Sequence, residues 1–263
     1  MTESSGSRWR AMARRGQRDG LAHTLWSALK RVGNDRAPGW FFRARDVLLV
    51  TMPQLSYAHI PTLRGVRARI MHVDQISELL PITENPSGLH QLFDQGSICA
   101  AAEAPGGQIG AMAWAWLGPG DCPVDARYSH GVRWRLRADE AWVHNGEASP
   151  ALRSTGVYLT AYRTLLEELA GRGVRRCYGQ ISMPNIESLQ VHRRLGLNPV
   201  AQIFYRRIAL IGFYRLRCGE TTRHIWTFRS ALTISPTDWL ESVLVAAESP
   251  SSTEAPTRPM SAL

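Results

Sequence analysis

The sequence predicts an α/β fold with a mixed sheet, and two features of the chain support this prediction. The 263 residues are 44% apolar and 20% charged, which is enough material for one well-packed core. Between about residues 41 and 215, short apolar runs typical of strands alternate with stretches of helical periodicity. The predicted order is strand, two helices, hairpin, strand, helix, strand, helix and strands, which is typical of an α/β domain.

The part of the domain before residue 118 is predicted to contain strands around two short helices. Runs of β-branched and aliphatic residues favour strands, and Asp74 is a candidate N-cap for the first helix. Pro105, Gly106 and Gly107 form a turn signal, so the strands beside it are expected to form a hairpin. The predicted elements are strands at 47–50, 66–73, 97–104 and 109–117, and helices at 74–80 and 87–95.

Residues 118–137 are interpreted as a loop of mixed polarity, because Gly and Pro come first and several Arg follow. In the strand after this loop, Gly146 interrupts the pattern. A glycine inside a strand often marks a bulge or the close approach of another backbone or a ligand. The elements predicted here are strands at 138–148, 174–182, 200–207 and 208–215, and helices at 156–170 and 185–195.

Positive charge is concentrated near the N-terminus. The formal net charge is +9, and residues 1–70 hold 13 Lys and Arg against 4 Asp and Glu, so the rest of the chain is neutral. No nucleic-acid partner is therefore expected. Residues 1–40 form a basic, partly disordered segment with a short amphipathic stretch at 21–29. This stretch is either a helix that makes weak contact with a membrane surface or a partner, or part of a solvated tail.

The C-terminal part is predicted to extend the domain. Residues 216–247 add about one strand and one helix, and residues 248–263, rich in Ser, Pro and Thr, are predicted to be a disordered tail. The four cysteines stand far apart without metal-ligand spacing, so they are interpreted as reduced and structural. No apolar run approaches the roughly 18 residues that span a bilayer, and no secretory signal pattern is present. A cytoplasmic location is expected.

The segment from Ala148 to Tyr158 joins a predicted strand end to a predicted helix start through small and polar residues. Such a junction leaves several backbone N–H groups unpaired at the positive end of the helix dipole, where they can bind a pyrophosphate. The alternative interpretation is a simple helix cap. The sequence therefore indicates a candidate anion site here.

The segment from Asn185 to Leu197 makes the interpretation specific. It resembles the pattern of the GNAT family of acyltransferases, in which Asn is followed by a small residue three positions later and by Gly eleven positions later. Asn185, Ser188 and Gly196 match this pattern, whereas His192 replaces its Tyr and Leu197 replaces its aromatic residue.

The Ala148–Tyr158 segment resembles a second GNAT signature, R/Q-x-x-G-x-G/A. Arg153 and Gly156 match it, whereas Tyr158 departs from its small last residue. The resemblance covers roughly residues 63–215 and implies the GNAT fold, with a mixed, mostly antiparallel central sheet flanked by helices in a domain at 41–215. It also implies that acetyl-CoA or another acyl-CoA is the co-substrate.

The resemblance further implies which residues hold the cofactor. The end of the strand near Gly146 would pair with the pantetheine arm and aim one N–H at the thioester oxygen. Asn185 would bond the cofactor or a bound water, or act only as a helix N-cap. The implied cofactor-binding residues are Gly146, Glu147, Ala148, Arg153, Ser154, Thr155, Gly156, Val157, Tyr158, Leu159, Asn185 and Ser188.

The implied chemistry is direct attack of an acceptor amine on the thioester, which needs a base and an acid. His192 is the candidate acid, and its alternative role is helix packing. Glu147 is the candidate base, directly or through water, with Glu140 and Asp139 as alternatives; each of these is otherwise a solvated carboxylate.

The acceptor is expected to be the amine of a small molecule, such as an amino sugar or a biosynthetic amine. Its pocket is predicted between the two helices before residue 96 and the loop at 118–137. A GNAT-fold protein that binds CoA or a partner without catalysis is the alternative, and the departures at Tyr158 and His192 favour it.

Overall fold

A computed structural model describes residues 42–83, 88–122, 132–153, 155–183, 185–208, 211–228 and 232–248. The predicted amphipathic stretch at 21–29, the C-terminal tail beyond residue 248 and Ser154 lie outside the described residues. The predicted domain boundary after Arg215 falls within a strand that continues to Cys218.

The chain forms twelve strands within the described ranges. Most carry alternating or continuous apolar side chains, as strands buried on one or both faces do. They are β1 Phe42–Met52, β2 Arg67–Met71, β3 Ile98–Glu103, β4 Ile109–Leu117, β5 Gly120–Asp121, β6 Val132–Leu136, β7 Glu140–Ala148, β8 Arg176–Ser182, β9 Asn198–Ile208, β10 Ile211–Cys218, β11 Thr221–Thr227 and β12 Leu232–Ile234.

Five α-helices accompany the strands in the same described ranges. They are α1 Ile76–Leu79, α2 Leu89–Asp94, α3 Val157–Gly171, α4 Ile186–Arg194 and α5 Pro236–Glu248, and single 3-10 turns lie at Val73–Gln75 and Pro150–Leu152. In the described part of the chain, no helix combines the length and the apolar character that crossing a membrane requires.

Nine strands form one sheet in the order β11-β10-β9-β1-β8-β7-β4-β3-β2, and β12, β6 and β5 form a small second sheet. Every neighbouring pair in the large sheet is antiparallel except β7 and β8, which run parallel. The predicted fold class, a mixed and mostly antiparallel sheet flanked by helices, is confirmed.

The two faces of the large sheet are covered by different elements. On one face, here called the α3 side, Val50, Ala113 and Val143 pack against Tyr162 and Leu165 of α3. On the opposite face, Trp114 packs with Leu79 and Leu89 from the α1–α2 region. Further along this opposite face, Trp142 stacks on Trp134 of β6, and α5 contributes Trp239 to the same cluster. Both faces of the central strands are therefore buried.

The prediction of a loop throughout 118–137 was wrong for its last part. Val132, Trp134 and Leu136 are buried while Arg133 and Arg135 are exposed, which is the period-two pattern of strand β6. The arginines made this segment look polar, because only the alternate residues face the core. The region after residue 216 likewise contains two short strands, β11 and β12, besides the predicted helix.

A buried carboxylate anchors α5 to the start of β7. Glu140 is fully buried and accepts hydrogen bonds from the Thr237 hydroxyl and the Arg137 amide. Because the Thr237 hydroxyl donates to Glu140, it accepts the bond from the Tyr178 hydroxyl, at 2.6 Å. Thr237 therefore satisfies two buried polar groups at once, and a buried polar group that lacks a partner is costly.

Replacing Thr237 with Val should lower the free energy of unfolding by about 2–3 kcal/mol, because Glu140 and Tyr178 would each lose a buried hydrogen bond. Urea denaturation followed by circular dichroism measures the change. Thr233→Val, at an exposed position of β12, is the matched control and should change stability by less than about 0.5 kcal/mol. Equal effects of the two substitutions would contradict the anchoring role.

Candidate functional site

The two parallel strands at the centre of the sheet, β7 and β8, separate halfway along their length. Their pairing ends at Val143 and Gly179. Beyond this point β7 remains paired with β4 as far as Ala148, and β8 remains paired with β1 as far as Ser182. A gap thus opens inside the sheet, and the facing edges of the two strands keep backbone groups that the sheet does not pair.

A β-bulge shapes the β7 side of this gap. Asn145 and Gly146 together stand opposite the single residue Ala113 of β4, and Asn145 has a positive φ of 47°. Such a bulge bends the strand and releases backbone groups from the ladder. Only glycine fits at 146, because a Cβ there would lie 2.2 Å from the Tyr158 Oη. The glycine signal in the sequence therefore marked both a bulge and a close approach.

The N-terminus of α3 lies beside the end of β7. Gly156 is its N-cap, with a φ of 87° in the left-handed region that favours glycine. The amides of Val157 and Tyr158 lie in the first turn and have no intrahelical acceptor. The Arg153 side chain is exposed, and its Nε donates to the Ala148 carbonyl oxygen at 3.4 Å. A helix start with a nearby guanidinium is suited to binding an anion.

One cavity of about 790 Å³ joins the gap to both sides of the sheet. It is lined by eight of the residues predicted to bind cofactor or act in catalysis: Gly146, Glu147, Ala148, Arg153, Tyr158, Asn185, Ser188 and His192. Thr155 and Gly156 lie next to it at the helix start. Ser154 is outside the described residues.

Two predicted cofactor residues point elsewhere. Val157 is buried in the core, so its backbone amide is the group that it can offer. The Leu159 side chain packs into the α3 side of the core, and its amide donates to the Gly156 carbonyl oxygen at 2.9 Å. Leu159 therefore has a structural role in the first turn of α3.

The far end of the cavity is lined by the α1–α2 region, as predicted for the acceptor pocket. Ile82, Gln91, Leu92 and Gln95 line it on this side, together with Gln180 of β8. The loop at 118–137 was expected to contribute as well, but none of its described residues, 118–122 and 132–137, lines the cavity. The reason is that β6 packs against Trp142 further along the sheet.

His144 is a cavity residue that the sequence analysis missed. It lies on β7 just before the bulge, and its Nε2 is 3.4 Å from the Ser97 Oγ. Burial lowers the pKa of His144 to about 4, so the imidazole is neutral at pH 7 and can accept a proton. The signal in the sequence was a polar residue close to Gly146, the glycine that interrupts the strand. The contact of His144 with Ser97 is made only by the fold.

His192 forms an aromatic cluster with two tyrosines of α3. Its ring centroid lies 6.3 Å from that of Tyr158 and 5.9 Å from that of Tyr162. The His192 Nδ1 donates to the Ser188 carbonyl oxygen at 2.7 Å, which leaves the lone pair of the neutral ring on Nε2. Burial lowers the pKa of His192, with the bond to Ser188 acting in the opposite direction. The protonated form that an acid requires is therefore scarce at pH 7.

Tyr158 keeps its proton, because burial raises the pKa of its hydroxyl well above 10. This hydroxyl reaches the bulge at Gly146, so a proton donor lies in the gap itself. Asn185 acts as the N-cap of α4, where its Oδ1 accepts from the Ser188 amide at 3.0 Å.

The predicted carboxylates are separated by the fold. Glu147 is half-buried and lines the cavity, whereas Glu140 is engaged in the α5 anchor and Asp139 does not line the cavity. Within the described ranges, no group of three or more His, Cys, Asp and Glu side chains is placed to hold a metal ion. Cys99, Cys177 and Cys218 are free thiols.

Comparison with known proteins gives structural similarity without a sequence match. No family model and no curated protein matches the sequence. A GNAT-family protein from Novosphingobium aromaticivorans is similar at 18% identity with a TM-score of 0.43, over 62% of this chain and 63% of that one. A GCN5-related N-acetyltransferase from Sphaerobacter thermophilus is similar at 12% identity and TM-score 0.45, over 71% and 56%.

A functionally unknown conserved protein from Staphylococcus epidermidis is similar at 8% identity with a TM-score of 0.46, over 69% of this chain and 65% of that one. The chain thus spans less than two thirds of the length of each of these three structures. Likenesses of this strength assign no activity to the chain.

The neutral state of His144 makes stability depend on pH. Its pKa of about 4 in the folded protein lies below the usual 6.5 of an unfolded chain, so the unfolded state binds the proton first as pH falls. Stability is fully present above about pH 6.5 and is lost toward pH 4, by about 3 kcal/mol. Urea unfolding at a series of pH values should show this loss in the wild type and not in His144→Gln. Parallel pH profiles would refute the buried neutral imidazole.

Proposed function

We propose that the protein is an acyl-CoA-dependent N-acyltransferase of the GNAT type, which transfers an acyl group, most simply acetyl, to an amine of a small molecule. The observation that supports it most is the gap between β7 and β8. The gap has a bulge at Asn145 and Gly146 on one edge, the N-terminus of α3 beside it, and a cavity that reaches both sides of the sheet.

The cofactor is proposed to enter from the α3 side. Its pyrophosphate lies at the helix start, where the amides of Val157 and Tyr158 donate and Arg153 neutralises charge. Its pantetheine arm lies in the gap and pairs, as an added strand would, with the edge of β7 from Gly146 to Ala148 that β8 no longer adjoins. A backbone N–H released by the bulge donates to the thioester oxygen, where negative charge develops.

The acceptor amine is proposed to approach from the α1–α2 end of the cavity. Three glutamines there, Gln91, Gln95 and Gln180, offer hydrogen bonds to a polar small molecule such as an amino sugar. The uncharged amine attacks the thioester carbon, the carbon–sulfur bond breaks, and the amine proton passes to a base. His144, neutral and on the acceptor side of β7, is the favoured base; Glu147 is the alternative.

The departing thiolate needs a proton. The sequence pattern suggests His192 for this role, but burial lowers its pKa and favours a neutral ring at pH 7, against the opposite effect of its bond to Ser188. The Tyr158 hydroxyl is protonated at pH 7 and lies at the bulge, so Tyr158 is proposed as the donor to sulfur. The protonated base then restores the phenol through water.

Reversing the charge of Arg153 should weaken acetyl-CoA binding. Isothermal titration of acetyl-CoA at about 0.15 M salt should give a Kd at least about tenfold higher for Arg153→Glu than for the wild type, because a charge-assisted contact to the pyrophosphate becomes a repulsion. Longer acyl-CoAs are titrated in parallel to find the preferred donor.

The matched control is Arg172→Glu. It makes the same change of charge at the opposite end of α3, where the Arg172 Nε pairs with Glu168. Its Kd should stay within about twofold of the wild type, because screening removes the interaction over the length of the helix. Equal weakening by both variants would place the cofactor elsewhere, and absence of binding by the wild type would remove the enzyme proposal.

Removing the base should slow turnover without weakening the binding of the cofactor. In steady-state assays with a panel of amines, including amino sugars, His144→Gln should lower kcat about 100-fold and leave the KM for acetyl-CoA within about twofold, since a positioned base contributes at least that factor. Glu147→Gln is the comparison variant and should lower kcat by less than about fivefold.

The opposite ranking of the two variants would make Glu147 the base. A wild-type protein that binds acyl-CoA but turns over no amine in the panel would instead favour the non-catalytic alternative, a GNAT-fold protein that binds CoA or a partner. Tyr158, which stands where the GNAT pattern has a small residue, would then block the acceptor from the gap.

A further inference from the structure

The sheet extends beyond β1 through β9, β10 and β11, and the α3 side of this extension carries aromatic rings and arginines. Its main residues are Phe204, Arg206, Phe213, Arg215, His224 and Trp226, here called the aromatic–arginine platform. The residues at alternate positions of the same strands, Tyr205, Tyr214 and Leu216, are buried against the opposite side. One face of these strands is thus core, and the other is the platform.

The strand register places the platform residues in two adjacent rows. Phe204, Arg215 and His224 lie side by side across β9, β10 and β11. Arg206 and Phe213 lie next to each other in the following row, which Trp226 completes. Rings and guanidinium groups therefore alternate over the surface of three strands.

The rings of the platform contact one another, and those of His224 and Trp226 are exposed. The Phe213 centroid lies 4.6 Å from that of Trp226 and 5.6 Å from that of His224, with the His224 ring inclined by only 23°. The Arg215 guanidinium carbon stands 4.0 Å above the Phe204 ring. Trp226 is 69% exposed, so its ring is accessible to a ligand.

The platform is positively charged although residues 71–263 are neutral as a whole. Arg215 and Arg217 are exposed on it, and Arg206 pairs with Asp46 at 2.5 Å. Averaging over the sequence conceals this local excess, because carboxylates elsewhere, such as Glu167 and Glu241, balance it. The expectation of no nucleic-acid partner relied on that average.

We propose that the aromatic–arginine platform binds single-stranded nucleic acid. Unpaired bases stack on exposed aromatic rings, while arginines attract the phosphates and also stack on bases, which is the combination that such ligands require. A three-stranded surface presents several rings at once to an extended strand. A duplex would keep its bases inside and could use only the charges. This proposal does not depend on the acyltransferase proposal.

An anionic membrane is the competing partner, and the burial of the rings argues against it. Phe204 and Phe213 are half-buried, and the Arg215 guanidinium stands over the Phe204 ring, so these two rings are not free to enter a bilayer. Among the described residues, the large apolar side chains exposed at this end of the sheet are Ile211, Trp226 and Phe228. Membrane binding through these side chains would depend on their apolar character and would not require the face of an aromatic ring.

The test is fluorescence anisotropy of labelled single-stranded oligo(U) and oligo(dT) with the full chain, beside a duplex of matched length. We expect micromolar or tighter binding of single strands at low salt, weakening as salt rises. Trp226→Leu and Arg215→Ala should each weaken it about tenfold, whereas Trp226→Phe, which keeps a stacking ring, should stay within about threefold.

The matched control is Arg172→Ala on α3, which removes one exposed positive charge away from the platform. It should leave oligonucleotide affinity within about twofold, and circular dichroism should show that every variant is folded. The proposal is overturned if single strands do not bind, if Trp226→Leu binds as well as the wild type, or if Arg172→Ala weakens binding as much as Arg215→Ala. Binding of phosphatidylserine vesicles in preference to oligonucleotides would also overturn it.

Discussion

The separation of β7 and β8 is the constraint on which the site depends. Over its second half, each of these strands pairs with another neighbour, β7 with β4 and β8 with β1. The two strands can therefore separate without leaving a long strand that has no partner. The bulge at Asn145 and Gly146 bends β7 away from β8. Backbone groups that face the gap need partners from outside the sheet, and a ligand with amide groups of its own can supply them. The cavity exists because, beyond the point of separation, β7 forms backbone hydrogen bonds with β4 and β8 with β1, but the two strands form none with each other.

Two departures from the GNAT pattern are spatial neighbours. The pattern has a small residue where this chain has Tyr158, and a Tyr where it has His192; the two rings lie 6.3 Å apart on α3 and α4. A phenol is therefore still present at the gap, but it is supplied by α3, and the smaller imidazole on α4 leaves room for it. Gly146 is needed to admit the hydroxyl. Under the proposed function, the two changes together leave a proton donor beside the bulge.

The sequence predicts elements with local signals and misses relations made by the fold. The hairpin of β3 and β4, the glycine start of α3 and the Asn185 cap of α4 each follow from neighbouring residues, and all are present. His144 was missed because its burial comes from the α1–α2 region and from Ser97, which are distant in sequence. The position of β1 between β8 and β9 leaves no signature in its own residues. The platform was missed because charge was averaged over the chain.

Burial gives the cavity a particular electrostatic character. His144, His192 and Tyr158 are all neutral at pH 7, because removing them from water disfavours their charged forms. A cationic amine gains little from such groups, so under the proposed function Glu147, half-buried at the cavity wall, is the group that attracts an ammonium ion. The amine must then lose its proton before it reaches the thioester. Glu147 and His144 would thus act in sequence, the first in capture and the second in attack, which gives both residues a role in one reaction.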